Sequence, residues 1–327
     1  MGFLDRFRHD HITLSSDETE LLANPWYEGS VIEIHPPPQG GVPATIPTVV
    51  RTIQELQSTR FGLRNASPIT AFEIRRPQPD TLRLQIAVPT TRLERKLRTH
   101  LDGRIPGIGF SDGTSGLPVT ITDEPTIGGA LLTAGRRDWY PFHTEFSQPP
   151  TNHVIGALHP HAMQQTRFVI QILFQPVAGK PLRRWWNTRR AYKRIGYLRK
   201  EKEQLWNSRS PTPRETNQAD AIETKIANPR FRTSIRMLVI NGGEYTRSRV
   251  KEVAGAFNVY EHPETGQFLN IETVTPFRRQ HVLRFCRAVA QRRFARWSRS
   301  FHTTADELGA LLAVPNREQS NLRYAEP

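Results

Sequence analysis

Apolar residues fall in short blocks along the chain whose period switches between two and nearly four. Val31–Ile34 reads as a strand and is followed by a loop rich in proline and glycine. Ile46, Val49, Val50, Ile53 and Leu56 then recur at helical spacing, with Thr45 placed to cap. Ile69–Arg75 and Thr81–Val88 read as two strands joined around Pro77-Gln78-Pro79-Asp80. In the second, Leu82, Leu84, Ile86 and Val88 alternate with other residues, as in a half-buried strand. Thr91 and Glu94 form a capping-box pattern ahead of Leu93, Leu97 and Leu101, and Val119–Thr122 supplies a further strand. The order is β-α-β-β-α-β, which predicts a ferredoxin-like unit over residues 27–125.

Residues 126–275 predict a second such unit. Trp139–Phe146 is strand-like, His153–Met163 helical, and Arg167–Gln175 a strand. Phe231, Thr233, Ile235, Met237 and Val239 alternate with other residues. Thr246 opens a helix with Val250, Val253, Ala254 and Phe257 on one face, and Phe268–Val274 closes the unit. Between its central strands, residues 180–228 form a long interruption. Leu182, Trp185, Tyr192, Ile195, Leu198 and Leu205 trace one helix face there. Ser208–Pro213 breaks the helix, and Ala219–Ile226 returns, which predicts a helical hairpin. Residues 1–26 read as a polar N-terminal arm. Residues 276–327 read as a basic helix running from Thr275-Pro276 to Trp297, a short helix over Asp306–Val314 and a tail. The predicted class is α+β, with two ferredoxin-like units and C-terminal helices.

Charge adds a partner to this outline. The chain carries 45 Lys and Arg against 31 Asp and Glu, a net charge of +14, which calls for an anionic partner such as nucleic acid or an acidic surface. No apolar run reaches the roughly 18–20 residues that cross a bilayer, and the N-terminal residues lack a signal-peptide pattern. A single cysteine, Cys286, excludes an internal disulfide. The expected location is the cytoplasm, at a membrane face only through partners.

The positive charge gathers in two helical stretches. Arg183, Arg184, Arg189, Arg190, Lys193, Arg194, Arg199 and Lys200 lie in the hairpin; Arg284, Arg287, Arg292, Arg293 and Arg296 follow in the C-terminal helix. Charge runs are most often solvated helix faces, but acids are scarce beside these. Guanidinium groups pair bidentately with phosphate, so these residues are the candidate contacts to nucleic acid or an acidic partner. Trp185, Trp186, Tyr192, Tyr197 and Trp206 are interleaved with them and fit hairpin anchors better than base platforms.

Other chemistry is thin. His143, His153, His159 and His161 cluster without a cysteine or carboxylate to complete a metal set. His159-Pro160-His161, with Tyr192 or Tyr197 as nucleophile, weakly matches the histidine pair of HUH nucleases. Neither Gly128-Gly129 to Gly135 nor Gly179-Lys180-Pro181 satisfies the P-loop spacing, and Asn241-Gly242-Gly243 reads as a turn. Cys286 lies on an apolar face as a packing residue. The expectation is a chain without catalytic, cofactor-binding or metal-binding residues.

Several stretches, in order, resemble the region that precedes the motor in conjugative type IV secretion ATPases of the coupling-protein kind. They are Ile69–Arg75 with Leu82–Pro89, Asp138–His143, Phe168–Pro176, the basic hairpin, Arg230–Arg236, and Phe301–Pro315. In that family a P-loop and an acidic strand follow, whereas this sequence stops at Pro327, so no catalytic residue carries over. The resemblance implies an accessory module of a DNA-transfer machine, docked on a separate P-loop ATPase through Glu307, Leu308 and Pro315. It also implies a homo-oligomer matching a ring-shaped motor. The alternatives are a single-strand nuclease of the HUH type and a basic structural scaffold.

Overall fold

The computed structural model describes residues 9–37, 46–59, 64–120, 124–158, 165–178, 182–204, 207–295, 298–316, 322 and 324. The chain opens with β1 (His11–Thr13), α1 (Ser16–Ala23), β2 (Ser30–His35) and α2 (Ile46–Ile53). The two-residue strands β3 (Ser58–Thr59) and β4 (Arg64–Asn65) pair only with each other. Then come β5 (Thr70–Gln78), β6 (Thr81–Val88), α3 (Thr91–Asp102) and β7 (Gly109–Asp112). The next elements are β8 (Thr126–Ala134), α4 (Thr151–Ala157), β9 (Arg167–Pro176) and α5 (Leu182–Arg199). A small ribbon, β10 (Lys202–Gln204) with β11 (Asn207–Arg209), leads to α6 (Pro213–Ala227) and β12 (Arg230–Ile240). The chain closes through α7 (Thr246–Gly255), β13 (Leu269–Thr273), α8 (Arg279–Ala290), β14 (Phe301–Thr304) and α9 (Ala305–Leu311).

Ten of these strands form one antiparallel sheet, in the order β1-β8-β12-β9-β5-β6-β2-β7, with β13 also on β8 and β14 on β12. The mixed α+β class is therefore observed. The sheet runs without interruption across residue 125, because β5 pairs β9 from Thr70↔Phe174 to Arg76↔Phe168. On either side of that seam the order repeats: β5-β6-β2-β7 one way, β9-β12-β8-β13 the other.

Alternation along each strand divides the sheet into two unlike faces. One face presents Ile32, Ile34, Phe72, Ile74, Leu84, Ile170, Ile172, Ile235 and Met237. Onto it pack Val49 and Val50 of α2, Leu93 and Leu97 of α3, Val253 of α7, and Leu308 and Leu311 of α9. Each such Leu, Ile or Phe contributes about 1.5–3 kcal/mol on full burial, so this layer dominates stability. The other face carries apolar residues toward β8, where Ile127, Leu131, Val169 and Leu238 meet Val282, Phe285, Cys286 and Val289 of α8.

At the middle of that second face a polar row crosses the sheet. Glu33, Gln85, Glu73, Gln171 and Arg236 are successive cross-strand neighbours. Gln171 Nε2 donates to Glu73 Oε1 at 2.7 Å, and Arg75 Nη1 donates to Gln85 Oε1 at 3.0 Å. Arg236 bonds Gln171 and the Arg293 carbonyl, and Arg292 Nη2 reaches Glu73 Oε2 at 3.1 Å. Burial pushes the Glu73 carboxyl up, but Arg292 and Arg75 outweigh it and hold its pKa below the usual value.

Several expected elements shift. Residues 1–26 are not all arm: β1 pairs β8, and α1 carries a Ser15/Glu18 capping box. The strand flanking β2 is Gly109–Asp112 rather than Val119–Thr122; Val119 and Leu117 instead sit beneath α8, and residues 121–123 lie outside the described residues. The strand expected at Trp139–Phe146 is displaced to β8, whose Gly128-Gly129 hides the alternation. Those glycines admit the Asp10 and Met237 carbonyls against the strand. The helix expected over 275–297 is only Arg279–Ala290, since Arg292 turns into the left-handed region at φ +50°. The cap of α3 is Thr90, whose hydroxyl accepts from the Leu93 amide at 3.3 Å.

Candidate functional site

The two helices between β9 and β12 pack on each other. Ala191, Ile195 and Leu198 of α5 meet Ala219 and Ile222 of α6, with Tyr140 completing the cluster and Trp139 beside it. The start of α6 is fixed locally by Pro213 in the first turn and a Thr212/Glu215 capping box. That seam determines which way the basic residues point. At about 100° per residue, the opposite pole of α5 carries Arg189 and Lys193, both exposed, and Lys200 is exposed just past the helix end at Arg199. Arg190 and Tyr197 flank the pole on one side and Tyr192 on the other; the two tyrosines are 55% and 53% exposed.

Acids neutralise part of this surface. Arg199 donates to Asp220 at 2.6 Å and also bonds Glu223, so α6 claims that guanidinium. Among the described residues, no carboxylate forms an ion pair with Arg190, Lys193 or Lys200. Exposed cations attract anions over about a Debye length, roughly 8 Å at physiological salt.

Beside Tyr197 the surface dips into an open cleft of 440 Å³ lined by Arg136, Arg194, Tyr197, Leu198, Thr212, Arg214, Glu215, Gln218 and Glu264. Arg194 Nε donates to Tyr140 Oη at 3.0 Å, and its guanidinium lies 5.1 Å from the Tyr197 ring centre. Arg136 stacks over the other aromatic, 4.6 Å from the Tyr140 ring centre, and bonds the Thr265 carbonyl. Glu215 is engaged by Arg209 at 3.1 Å, and Glu264 accepts from Asn217 at 3.0 Å. Three arginines thus converge where both carboxylates already have partners. Arg136 and Arg214 were not among the residues expected from sequence. Both stand outside the two basic runs; Arg214 begins α6 of the hairpin, and folding brings Arg136 to it from the segment after β8.

The remaining expected residues divide. Arg284 and Arg293 are exposed and Arg287 is half-buried, while the side chains of Arg183 and Arg184 and all of Arg296 lie outside the described residues. Arg292 is a correction: it is 4% exposed and committed to Glu73 and to the Ser115 carbonyl, so it cannot reach a phosphate. Glu307, Leu308 and Pro315 are also corrections as docking contacts, because all three are buried. Glu307 caps α9 and binds Lys225 at 2.8 Å, and Leu308 is wholly inside the main core.

His143 packs edge-on to Phe146 and lies 6.5 Å, centre to centre, from His262, whose pKa is lowered by burial and then by His143. His153 is exposed, and His159 and His161 lie outside the described residues. Among the described residues, no group of three His, Cys, Asp or Glu side chains could hold a metal ion, and no helix is long and apolar enough to cross a membrane. No curated protein matches the sequence. A family model described as a domain of unknown function, DUF8128, matches residues 4–327, nearly the whole chain; the protein belongs to that family.

Proposed function

We propose that this protein is a non-catalytic, nucleic-acid-contacting accessory module of a DNA-transfer machine of the type IV secretion kind. The single observation that carries the contact is the outward pole of α5. Lys193 is exposed there with Arg190 beside it and Lys200 exposed just past the helix end, and the acids of α6 are spent on Arg199 and Arg209. Binding a phosphate backbone releases condensed counterions, so a few such cations suffice for salt-sensitive affinity. The architecture fits the same reading: each half runs β-α-β-β-α-β with matching strand order, as two ferredoxin-like units would, and the second bears the hairpin between its central strands.

Fluorescence anisotropy with a labelled DNA duplex, over a series of salt concentrations, tests the contact. Replacing Arg190, Lys193 and Lys200 together with Ser is expected to weaken binding. The slope of log affinity against log salt should fall by about 2–3, near 0.9 per lost phosphate contact. Unchanged affinity and slope would remove the hairpin from the reading.

The P-loop ATPase partner rests on the family-like order of segments rather than on a surface of this chain. Co-elution with a coupling-type P-loop ATPase, at fixed stoichiometry in size-exclusion chromatography, is the expected result. Separate elution would confine the reading to nucleic-acid contact.

A further inference from the structure

Tyr140 sets the geometry of the cleft beside α5. It is buried and holds two arginines at once. Its hydroxyl accepts from Arg194 Nε at 3.0 Å, and the Arg136 guanidinium lies over its ring, 4.6 Å from the centre. Arg136 is fixed further by its Nη1 bond to the Thr265 carbonyl, and its amide donates to Gln267 Oε1 at 2.8 Å. Among the described residues, the Nη groups of Arg194 have no hydrogen-bond partner, and none of Arg136, Arg194 and Arg214 forms an ion pair. A half-buried guanidinium that is oriented yet lacks a counter-charge costs stability. Arg214 adds to that cost, because it stands in the first turn of α6, where the helix dipole disfavours a cation.

The acids of the cleft do not supply the missing charge. Glu215 is held by Arg209 at 3.1 Å and by the Thr212 amide at 2.9 Å, as half of the capping box. Of the lining carboxylates, that leaves Glu264 against three arginines, and it accepts from Asn217. The arginines come from three separate segments, the stretch after β8, α5 and the start of α6, and line one recess of 440 Å³. The outer pole of α5 is convex and suits the phosphates of a strand passing by. A recess walled by cations suits a group that presents oxygens on several sides. An internal phosphodiester has two of its oxygens tied into the chain, whereas a terminal phosphate monoester carries a charge of about −1.5 to −2 on three free oxygens.

We infer that this cleft binds the terminal phosphate of a DNA strand, with Arg136, Arg194 and Arg214 as its contacts and Tyr140 as the positioning residue. The inference rests on the nucleic-acid reading proposed above and adds to it the recognition of a strand end. The test uses the full-length protein and single-stranded DNA with an internal fluorescent base, ending in a 5′-phosphate, a 3′-phosphate or hydroxyls at both ends. One phosphorylated form should bind roughly tenfold tighter than the hydroxyl form, and which one it is gives the polarity of the strand. Arg136→Gln with Arg214→Gln, both at exposed positions, should leave the circular dichroism spectrum unchanged and abolish that preference. Tyr140→Phe keeps the ring but frees Arg194, and should narrow the preference without changing affinity for the hydroxyl form. The Arg190/Lys193/Lys200 variant should weaken all three strands alike and keep their ratio. Equal binding of the three strands by the parent would overturn the strand-end site and leave the nucleic-acid reading standing. A preference that survives Arg136→Gln with Arg214→Gln would do the same. Binding of none of them would end both readings.

Discussion

Lys225 of α6 and Glu307 of α9 meet in the interior at 2.8 Å, each side chain 2% exposed. The same ammonium donates to the Tyr140 carbonyl at 3.0 Å and lies 5.3 Å from the Phe142 ring centre. Glu307 in turn accepts from the Phe142 amide at 2.7 Å. The pair ties the hairpin to the C-terminal helix through a shared loop. Removing one partner strands the other without its counter-charge. Lys225→Met should therefore lower unfolding stability in urea by about 3 kcal/mol, while Lys225→Met with Glu307→Gln should cost clearly less than the two single changes summed. Additive losses would mean that the pair carries no coupling.

Arg279 of α8 holds the Glu18 carboxyl, in the first turn of α1, down to about 2 from an ordinary value of 4.5. The hydrogen bond from the arginine is the main cause. A depressed carboxyl stabilises the fold above its ordinary pKa, and that contribution fades as pH falls from about 4.5 toward 2. Because Arg279 is 42% exposed, the effect should stay within about 1 kcal/mol. In thermal melts, Arg279→Met should lower stability at pH 7 and match the parent near pH 2. An equal difference at both values would rule out this linkage.

Cys286 is fully buried on the α8 face that meets the sheet, and burial pushes its thiol up to about 12. The thiolate is the reactive form, so labelling by a disulfide reagent at pH 8 should follow unfolding and be negligible in the folded protein. Rapid labelling under native conditions would show that α8 lifts from the sheet.

Gly116 sits where the loop after β7 crosses the end of α1, and a Cβ there would run into the Ala23 carbonyl. Its own carbonyl accepts from Arg75 of the polar row. Gly116→Ala should therefore cost about 1–3 kcal/mol in urea unfolding, by moving backbone that cannot yield cheaply. A neutral result would show that the loop relaxes without disturbing Arg75.

Strands buried on both sides could be read directly. In β9 and β12 the runs of Val, Ile, Leu and Phe leave no competing interpretation, and the structure extends each only by a residue or two at its ends. The sheet's edges were harder. Gly109–Asp112 pairs β2 with no apolar alternation to mark it, because an edge strand with half-buried residues has little reason to be hydrophobic. Charge was legible as composition but not as place. Arg190 and Arg292 look alike in the chain, yet one faces water and the other closes an ion pair under the sheet. Glu73, the residue that distinguishes them, is over two hundred positions from Arg292, and its pairing depends on strand order. The cleft arginine Arg136 escaped for the same reason, since it reaches the hairpin only through the fold.

The mounting of the hairpin has a mechanical consequence. Its helices leave from the end of β9 and return into the start of β12, two interior strands that pair each other from Phe231↔Pro176 to Ile240↔Arg167. A pull on the hairpin would draw both strands lengthwise against β5 and β8, loading many backbone rungs side by side rather than peeling them open one by one. A handle set at the rim, on β7 or β1, would unzip under far less tension. The hairpin is thus mounted where the sheet best resists a lengthwise pull.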